Sequence, residues 1–288
     1  MRSIFQHLRF PFSFFLLPVF LFAYSQTDSP DIPKAIWAFF ILHFLVYPAS
    51  NAYNSYFDKD EGPIGGIAKP LPINIQLYYV SVFMDALAVL LAFLFCSWPF
   101  AIAIFIYGII SKAYSHPNFR LKKYPAASWL VVGLFQGAFI YLSVNHLISG
   151  SSVSFFDHSA LFPAFLTSFN LWAFYPITQV YQHEEDAKRG DLTLSLKLGI
   201  NGTFIFTAAL FLISTFGFYG YFNEKNVFLP AKFLIYLLCM SPSLIFFNIW
   251  VIKVWSDQAK ANFKNTMMMN LLGSLCLNLF FLWLILLK

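Results

Sequence analysis

The amino-acid sequence predicts an all-α, polytopic membrane protein that folds as one bundle of nine transmembrane helices. Of its 288 residues, 59% are hydrophobic and only 11% are charged, whereas soluble domains carry about 25% charged residues. Apolar runs of roughly 20 residues, the length needed to cross the hydrocarbon of a bilayer, recur along the whole chain. A soluble fold is therefore excluded, because its surface would hold too few charges.

Nine apolar runs delimit the predicted helices in chain order. They cover residues 10–26, 32–55, 74–97, 99–114, 126–147, 159–181, 202–222, 230–254 and 265–286. No run shows the alternation of a barrel strand, so helices are expected to satisfy the backbone polar groups inside lipid. The first run is long for the apolar region of a signal peptide and lacks a cleavage site after it. We expect it to remain as a span.

The distribution of basic residues predicts that the N-terminus lies in the cytoplasm. With this orientation, 14 of the 18 lysine and arginine residues fall on the cytoplasmic side, in agreement with the positive-inside rule. The net charge of +5 therefore reports membrane topology, and no nucleic-acid partner is expected. The three cysteines lie within apolar runs and show neither metal-ligand spacing nor a disulfide framework.

One motif occurs twice, at an offset of 128 residues, within what we predict to be a single domain spanning residues 1–288. Residues 47–62 and 175–190 share the pattern Y-P-x-[ST]-[NQ]-x-Y-[NQ]-x-x-x-D-x-x-x-G. Since positions i, i+3 and i+7 share one helix face, each copy predicts a polar stripe that ends at the cytoplasmic mouth of its span. The stripes consist of Asn51, Asn54 and Asp58 in the second span, and of Gln179, Gln182 and Asp186 in the sixth.

The two motifs also concentrate acidic residues, because six of the 13 in the chain lie there. Intramembrane amides and carboxylates are costly unless they face a cavity or one another, which predicts one shared polar pocket. Mg²⁺ typically binds one or two carboxylates together with substrate phosphates, so the pocket is a candidate magnesium site. A pair of solvated acidic loops without a metal is the alternative. The six residues are Asp58, Asp60, Glu61, Glu184, Glu185 and Asp186.

Basic residues follow both motifs and fill the loop between the fourth and fifth spans. Lys69 stands in the sequence K-P-L-P, Lys188 and Arg189 follow the second motif, and the loop at 114–123 contributes Arg120 and Lys122. Carboxylates for a metal, combined with cations for phosphate oxygens, are typical of a diphosphate site. The alternative is that these cations only mark topology. In a diphosphate site, the lipid tail of an isoprenoid diphosphate would extend into the bundle.

Four segments, in the same order along the chain, resemble motifs of the UbiA superfamily of intramembrane prenyltransferases. Asn54-x-x-x-Asp58 is similar to the first half of N-x-x-x-D-x-x-x-D, and Lys69-Pro-Leu-Pro stands where members have R-P-L-P. Residues 114–123 are similar to the Y-S-x-P-P-x-R-L-K-K loop of the chlorophyll-synthase and homogentisate branches. Residues 186–194 look like the D-x-x-x-G-x-x-T-L end of the second aspartate motif. The resemblance covers nearly the whole chain.

Two positions depart from the motifs, because each copy lacks one carboxylate. Gly62 stands where the first motif ends in aspartate, and Gln182, or Gln179 in the more widely spaced variant, stands where the second begins with one. Amide oxygens still ligate a hard cation, and Glu184 or Glu185 is available as a substitute ligand.

The resemblance implies a magnesium-dependent transferase that moves an isoprenoid chain from an allylic diphosphate to an aromatic or other lipophilic acceptor, with a quinone precursor favoured. It implies catalytic roles for Asp58 and Asp186, and an active site on the cytoplasmic side of the bilayer. Implied metal ligands are Asn54, Asp58, Glu185 and Asp186. Implied substrate-binding residues are Asn51, Asn54, Lys69, Arg120, Lys122, Gln179 and Gln182.

Two other classes of function stay open at this point. A catalytically reduced homologue that binds prenyl lipids is suggested by the missing aspartates. A small-molecule transporter is suggested by the internal repeat with intramembrane polar residues. Three further polar residues lie in apolar stretches, where they either contact an acceptor or form interhelical hydrogen bonds: His43, Asp85 and Gln136.

Overall fold

The computed structural model of the protein describes residues 1–150, 157–223 and 228–288. Within these residues it contains helices and one isolated bridge between Ile64 and Ile67, but no β-strand. Nine of the described helices are long and apolar enough to cross a membrane, which confirms the predicted all-α bundle. They are α1 (Arg2–Ser25), α2 (Ile32–Asp58), α3 (Ile75–Phe95), α4 (Trp98–Ser115), α5 (Pro125–Ile148), α6 (Ser159–Ile177), α8 (Leu194–Phe222), α9 (Ala231–Ser256) and α10 (Phe263–Leu286). A short helix, α7 (His183–Arg189), lies between the sixth and seventh spans.

Several predicted span boundaries are wrong by more than three residues. Helix α1 begins at Arg2 instead of residue 10, because the polar turn Arg2–Leu8 is helical although its hydropathy is low. Helix α8 begins at Leu194 instead of residue 202, with a break at Gly199, whose φ of 69° and ψ of 172° lie outside the helical region. Helix α6 ends at Ile177 instead of residue 181, which changes the geometry of the second motif.

Helices α2 and α5 each contain one turn of π-helix. In α2 it covers Ile41–Val46 and leads directly into the α-helical segment Tyr47–Asp58. In α5 it covers Leu134–Phe139. A π-turn adds a residue to one turn, which shifts the face that the following side chains present, and such turns are frequent at functional sites.

Helices α2 and α4 run side by side in the same direction and in a defined register. The hydroxyls of Ser50 and Ser111 are 2.6 Å apart, and the Asn54 amide donates to the Ser115 hydroxyl at 2.8 Å. Because partners along the two helices keep the same offset, the ends of both helices lie at the same level. Polar side chains of this kind join helices within a membrane, where apolar surface is already satisfied by lipid.

Three connecting segments gather at that end of the bundle. Residues 59–74 follow α2, residues 116–124 follow α4, and residues 178–193 follow α6 and include α7. The first turn of α1 holds the first of these segments: the Ser3 hydroxyl donates to the Pro72 carbonyl at 2.6 Å, and His7 Nε2 lies 2.8 Å from the Leu71 carbonyl. These contacts position the loops around the opening of a central cavity.

Candidate functional site

A cavity of about 300 Å³ opens among the three connecting segments and extends into the bundle. Charged and amide side chains surround its mouth, while aromatic and aliphatic side chains form most of its deeper wall. Seven of the ten site residues predicted from the sequence line this cavity. These seven are Asn51, Asn54, Asp58, Lys122, Gln179, Gln182 and Asp186.

The first motif lies on α2, as its spacing predicts. Asn51, Asn54 and Asp58 face the cavity from one side of the helix, which ends at Asp58. Lys59 ends the helix in the left-handed region, with a φ of 51°. The hydrogen bond from the Asn54 amide to Ser115 fixes the orientation of that side chain against α4.

The second motif does not lie on one helix face, and that prediction is wrong. Pro176 has no N–H to donate to the carbonyl of Trp172, which instead accepts from the indole of Trp129 at 2.9 Å. Helix α6 ends at the next residue. Gln179 and Gln182 therefore lie in the turn that follows α6, and Asp186 lies on α7. The three side chains still reach the cavity, but through a turn and a second helix.

Each amide of the second motif is held by backbone from another segment. The Gln179 side-chain oxygen accepts from the Ser195 N–H at 3.5 Å, and the Gln182 amide donates to the Pro63 carbonyl at 3.5 Å. Gln182 thus bridges the two motif-bearing segments at the mouth.

Ion pairs connect the two motifs through cations of two of the three connecting segments, 116–124 and 178–193. Lys122 Nζ lies 2.6 Å from Asp58 Oδ1 and 3.2 Å from Asp191 Oδ2. The Arg120 guanidinium makes two bonds to Asp191, at 2.7 and 2.8 Å, and lies 4.0 Å from Asp58. Arg189 lies 3.0 Å from Asp186 Oδ1. Positive and negative groups at the mouth are therefore closely matched.

Asp191 is the centre of this network, and its side chain is only 1% exposed. Gly190 ends α7 with a φ of 74°, and this turn brings Asp191 back toward the loop that carries Arg120. Burial alone would raise the pKa of Asp191, but the hydrogen bonds from Arg120 and Lys122 and their charges hold it below its usual value. Asp191 is therefore an anchor for the cations of the 116–124 loop.

Asp186 is buried at the cavity with fewer stabilising contacts. It accepts from Arg189 at 3.0 Å and from the Thr193 hydroxyl at 3.3 Å. Burial raises the pKa of this carboxyl to about 7, although the positive charge of Lys122 opposes the shift. Its ionised form is costly at this position, and an added cation at the mouth would stabilise it.

Three of the predicted site residues do not line the cavity. Lys69 is exposed, because its segment is held by backbone contacts to α1, one of them from Gln6 to the Lys69 carbonyl. Arg120 is turned toward Asp191 behind the wall. Glu185 accepts from the Gly62 N–H at 2.5 Å, and a side chain at position 62 would collide with it. The glycine that replaces an aspartate thus makes room for Glu185, which supports the loop.

Three charged residues at the cavity were missed as site residues from the sequence: Arg9, Asp60 and Arg189. Arg9 lies in α1 and is 9% exposed; it donates to the Asn51 carbonyl at 3.0 Å and to the Gly65 carbonyl at 3.3 Å. Arg189 pairs with Asp60 and also contacts the Asp58 carbonyl at 3.5 Å. Arg9 was not singled out in the sequence, and Arg189 stood among the cations that follow the second motif without being named as a site residue, because loop conformation decides which cations point inward.

The polar residues of the apolar stretches have different surroundings. Asp85 forms an ion pair with Lys112 between α3 and α4, and the Lys112 ammonium lies 4.8 Å from the ring centre of Tyr53. This supports an interhelical role for Asp85. His43 is buried in α2 away from the cavity, whereas Gln136 lines the cavity.

The donors at the mouth fit a magnesium ion that is shared with a diphosphate. Within residues 1–150, 157–223 and 228–288, no three histidine, cysteine, aspartate or glutamate side chains converge to hold a metal by themselves. Asp58 and Asp186 nevertheless border the same cavity, with amide oxygens beside them. Two carboxylates completed by substrate phosphates are a common environment of Mg²⁺.

Comparisons with known proteins agree with the architecture. The family model of the UbiA prenyltransferase family matches residues 13–285. A UbiA homologue from Archaeoglobus fulgidus bound to DMAPP and Mg²⁺ has a TM-score of 0.70 at 17% identity, over 99% of this chain and 100% of that one. The homologue bound to GPP and Mg²⁺ has a TM-score of 0.69 at 18% identity, over 98% and 99%.

A structure of digeranylgeranylglyceryl phosphate synthase has a TM-score of 0.60 at 17% identity, over 99% of this chain and 98% of that one. No curated protein matches the sequence significantly. At these identities, the likeness to the solved structures is one of fold.

Proposed function

The chain belongs to the UbiA prenyltransferase family, and on that premise we propose that it transfers an isoprenoid chain from an allylic diphosphate to an aromatic or other lipophilic acceptor, in a magnesium-dependent reaction. One observation carries the proposal: a single cavity combines carboxylates and cations at its mouth with an apolar interior. These are the two environments that the two ends of an isoprenoid diphosphate require.

At the mouth, we assign the diphosphate to the cations that line the cavity. The cavity wall contains Lys122, Arg189 and Arg9. Arg120 lies behind Lys122, and both side chains form ion pairs with Asp191. When a diphosphate enters, its oxygens replace carboxylates as partners of these cations, since charge-assisted bonds to phosphate are strong and often bidentate for arginine. The released carboxylates of Asp58 and Asp186 are then free to hold the metal, with Asn54 beside them.

The chemistry follows from this placement of charges. A bound Mg²⁺ would supply Lewis-acid stabilisation of the diphosphate as its charge grows. The bond between C1 of the isoprenoid and the diphosphate oxygen breaks, and its electron pair leaves with the diphosphate, which Lys122, Arg189 and Arg9 stabilise. An acceptor nucleophile then forms a bond to C1 and loses a proton. Aromatic faces in the wall stabilise the allylic cation.

We further propose a quinone precursor as the acceptor class and the cytoplasmic side as the side of the mouth. The first rests on the similarity of residues 114–123 to the loop of the homogentisate branch, and the second on the distribution of basic residues. Apolar substrates suit a protein that spans the bilayer several times, because such substrates dissolve in the lipid around it. The solved UbiA homologues bound to GPP or DMAPP and Mg²⁺ support the choice of donor and metal.

The test is turnover by the full chain in lipid nanodiscs, with allylic diphosphates of increasing length and a panel of phenolic acceptors. We expect Mg²⁺-dependent release of diphosphate and a prenylated product, and loss of both in Asp58→Asn. Asp257→Asn is the matched control, because Asp257 is an exposed carboxylate paired with Lys260 outside the cavity. Binding without turnover would establish a catalytically reduced homologue instead, and uptake into liposomes without product would establish a transporter.

A further inference from the structure

The deep part of the cavity contains a polar group that the diphosphate site does not use. Tyr47, Tyr107 and Gln136 line the cavity from α2, α4 and α5. The rings of Tyr47 and Tyr107 lie 6.1 Å apart, and the Gln136 side chain interacts with Tyr107. We refer to these three residues as the deep polar group.

The deep polar group lies well below the charged mouth. Tyr47 precedes Asp58 by 11 residues on one helix, which corresponds to about 16 Å at 1.5 Å per residue. The register between α2 and α4, in which Ser50 meets Ser111, places Tyr107 at the same level as Tyr47. A diphosphate held at the mouth is therefore too far away to be the partner of these side chains.

Two observations point to a ligand at this level. Tyr47 is only 2% exposed, and its hydroxyl has no hydrogen-bond partner in the structure, although buried hydroxyls are nearly always bonded. The two π-turns of the described spans also occur here: one ends at Val46, and the other contains Gln136. π-Helix is well under 1% of residues in proteins, so two such turns beside one polar group indicate a selected geometry.

The chemistry of the group limits the ligand to uncharged oxygen. Among the described residues that line the cavity, every charged side chain is at the mouth: Arg9, Asp58, Asp60, Lys122, Asp186 and Arg189. A carboxylate at the deep level would be buried without a cation, which is strongly unfavourable. A purely apolar tail would leave the Tyr47 hydroxyl unpaired. A phenol, quinol or carbonyl oxygen satisfies it, because tyrosine and glutamine both donate and accept.

We propose that the deep polar group binds an uncharged hydroxyl or carbonyl oxygen of the acceptor and so selects acceptors with such an oxygen over carboxylates. This inference rests on the proposed function for the identity of the ligand as the acceptor. The binding site itself stands on the unpaired hydroxyl, the two π-turns and the absence of charge at this level of the described wall.

The experiment measures binding of three probes to the full chain in lipid nanodiscs by equilibrium dialysis, with empty nanodiscs subtracted. The probes are naphthalene, 2-naphthol and 2-naphthoate, which share a ring system and differ in the oxygen group. We expect 2-naphthol to bind about 3- to 10-fold more tightly than either of the others, as one added hydrogen bond would give. Tyr47→Phe, which keeps the ring, should remove that preference.

Tyr141→Phe is the matched control, since Tyr141 is fully buried in α5, its hydroxyl is also unpaired, and it does not line the cavity. It should retain the preference. Equal binding of naphthalene and 2-naphthol to the wild type, a preference that survives in Tyr47→Phe, or tighter binding of 2-naphthoate would each overturn the proposal.

A separate measurement distinguishes this failure from failure of the proposed function. Mg²⁺-dependent binding of geranyl S-thiolodiphosphate, which does not ionise readily, tests the mouth alone. Tyr47→Phe should leave the affinity for the thiolodiphosphate unchanged. If Tyr47→Phe weakens binding of the thiolodiphosphate and of 2-naphthol equally, the deep polar group contacts the donor's tail, and its assignment to the acceptor is overturned. No binding of the thiolodiphosphate to the wild type, with the 2-naphthol preference intact, would refute the proposed function and leave the deep binding site in place.

Discussion

Replacing Asp191 by asparagine removes the anchor of the cations at the mouth while changing the side-chain volume little. The carboxylate accepts two bonds from Arg120, at 2.7 and 2.8 Å, and lies 3.2 Å from Lys122 Nζ. Asparagine has one oxygen and one amide nitrogen, so at least one of these donors would face another donor. Bonds to charged groups contribute about 1.5–3 kcal/mol each, and Asp58, at 4.0 Å from Arg120, compensates only in part.

We therefore expect Asp191→Asn to lose about 2–4 kcal/mol of stability. At about 2–4 °C per kcal/mol for a chain of 150–250 residues, the apparent melting temperature in nanodiscs should fall by about 4–16 °C. The KM for the allylic diphosphate should rise at least about tenfold, since about 1.4 kcal/mol corresponds to a factor of ten. The value of kcat should change less than KM, because Asp191 positions cations and is not a metal ligand.

The assay compares melting curves, KM and kcat for wild type, Asp191→Asn, Asp191→Glu and Asp257→Asn. The longer Asp191→Glu side chain keeps the charge, so it should recover part of the affinity for the diphosphate. Asp257→Asn removes an exposed carboxylate and should match wild type. The reasoning is refuted if Asp191→Asn melts and turns over like wild type, since the network would then contribute nothing.

Three further predictions concern the mouth. Gln182→Asp should lower the Mg²⁺ concentration for half-maximal turnover, because it adds a carboxylate beside the metal; an unchanged requirement would show that position 182 does not contact the metal. Asp186→Asn should abolish turnover, measured as product formed across a Mg²⁺ titration, and normal activity would move the metal elsewhere. Lys122→Glu should weaken binding of geranyl S-thiolodiphosphate at least about tenfold, whereas Lys69→Glu should leave it unchanged. Equal losses in the two variants would contradict the placement of Lys69 outside the cavity.

The helices were predicted from hydropathy wherever a span is apolar along its whole length. Hydropathy does not show where α1 begins, because its first residues are polar. Gln6 and His7 are helical there and form hydrogen bonds to the segment of residues 69–72. Hydropathy also failed at the end of α6, where Pro176 and a bond from Trp129 to the freed carbonyl of Trp172 end the helix. Apolar content cannot report either event, because each depends on a contact with another part of the chain.

The composition and the order of the residues by themselves predicted a helical membrane protein with two related polar motifs, because burial in lipid requires long apolar helices whatever their arrangement. The part of the chain that the structure describes contains the nine membrane-length helices expected. Spacing on one helix also placed Asn51, Asn54 and Asp58 together. Only the tertiary structure decided which cations reach the cavity, and that Asp191 anchors two of them. Loop residues converge through backbone turns such as Gly190 and through the register between helices, and neither is encoded in the spacing along a single segment.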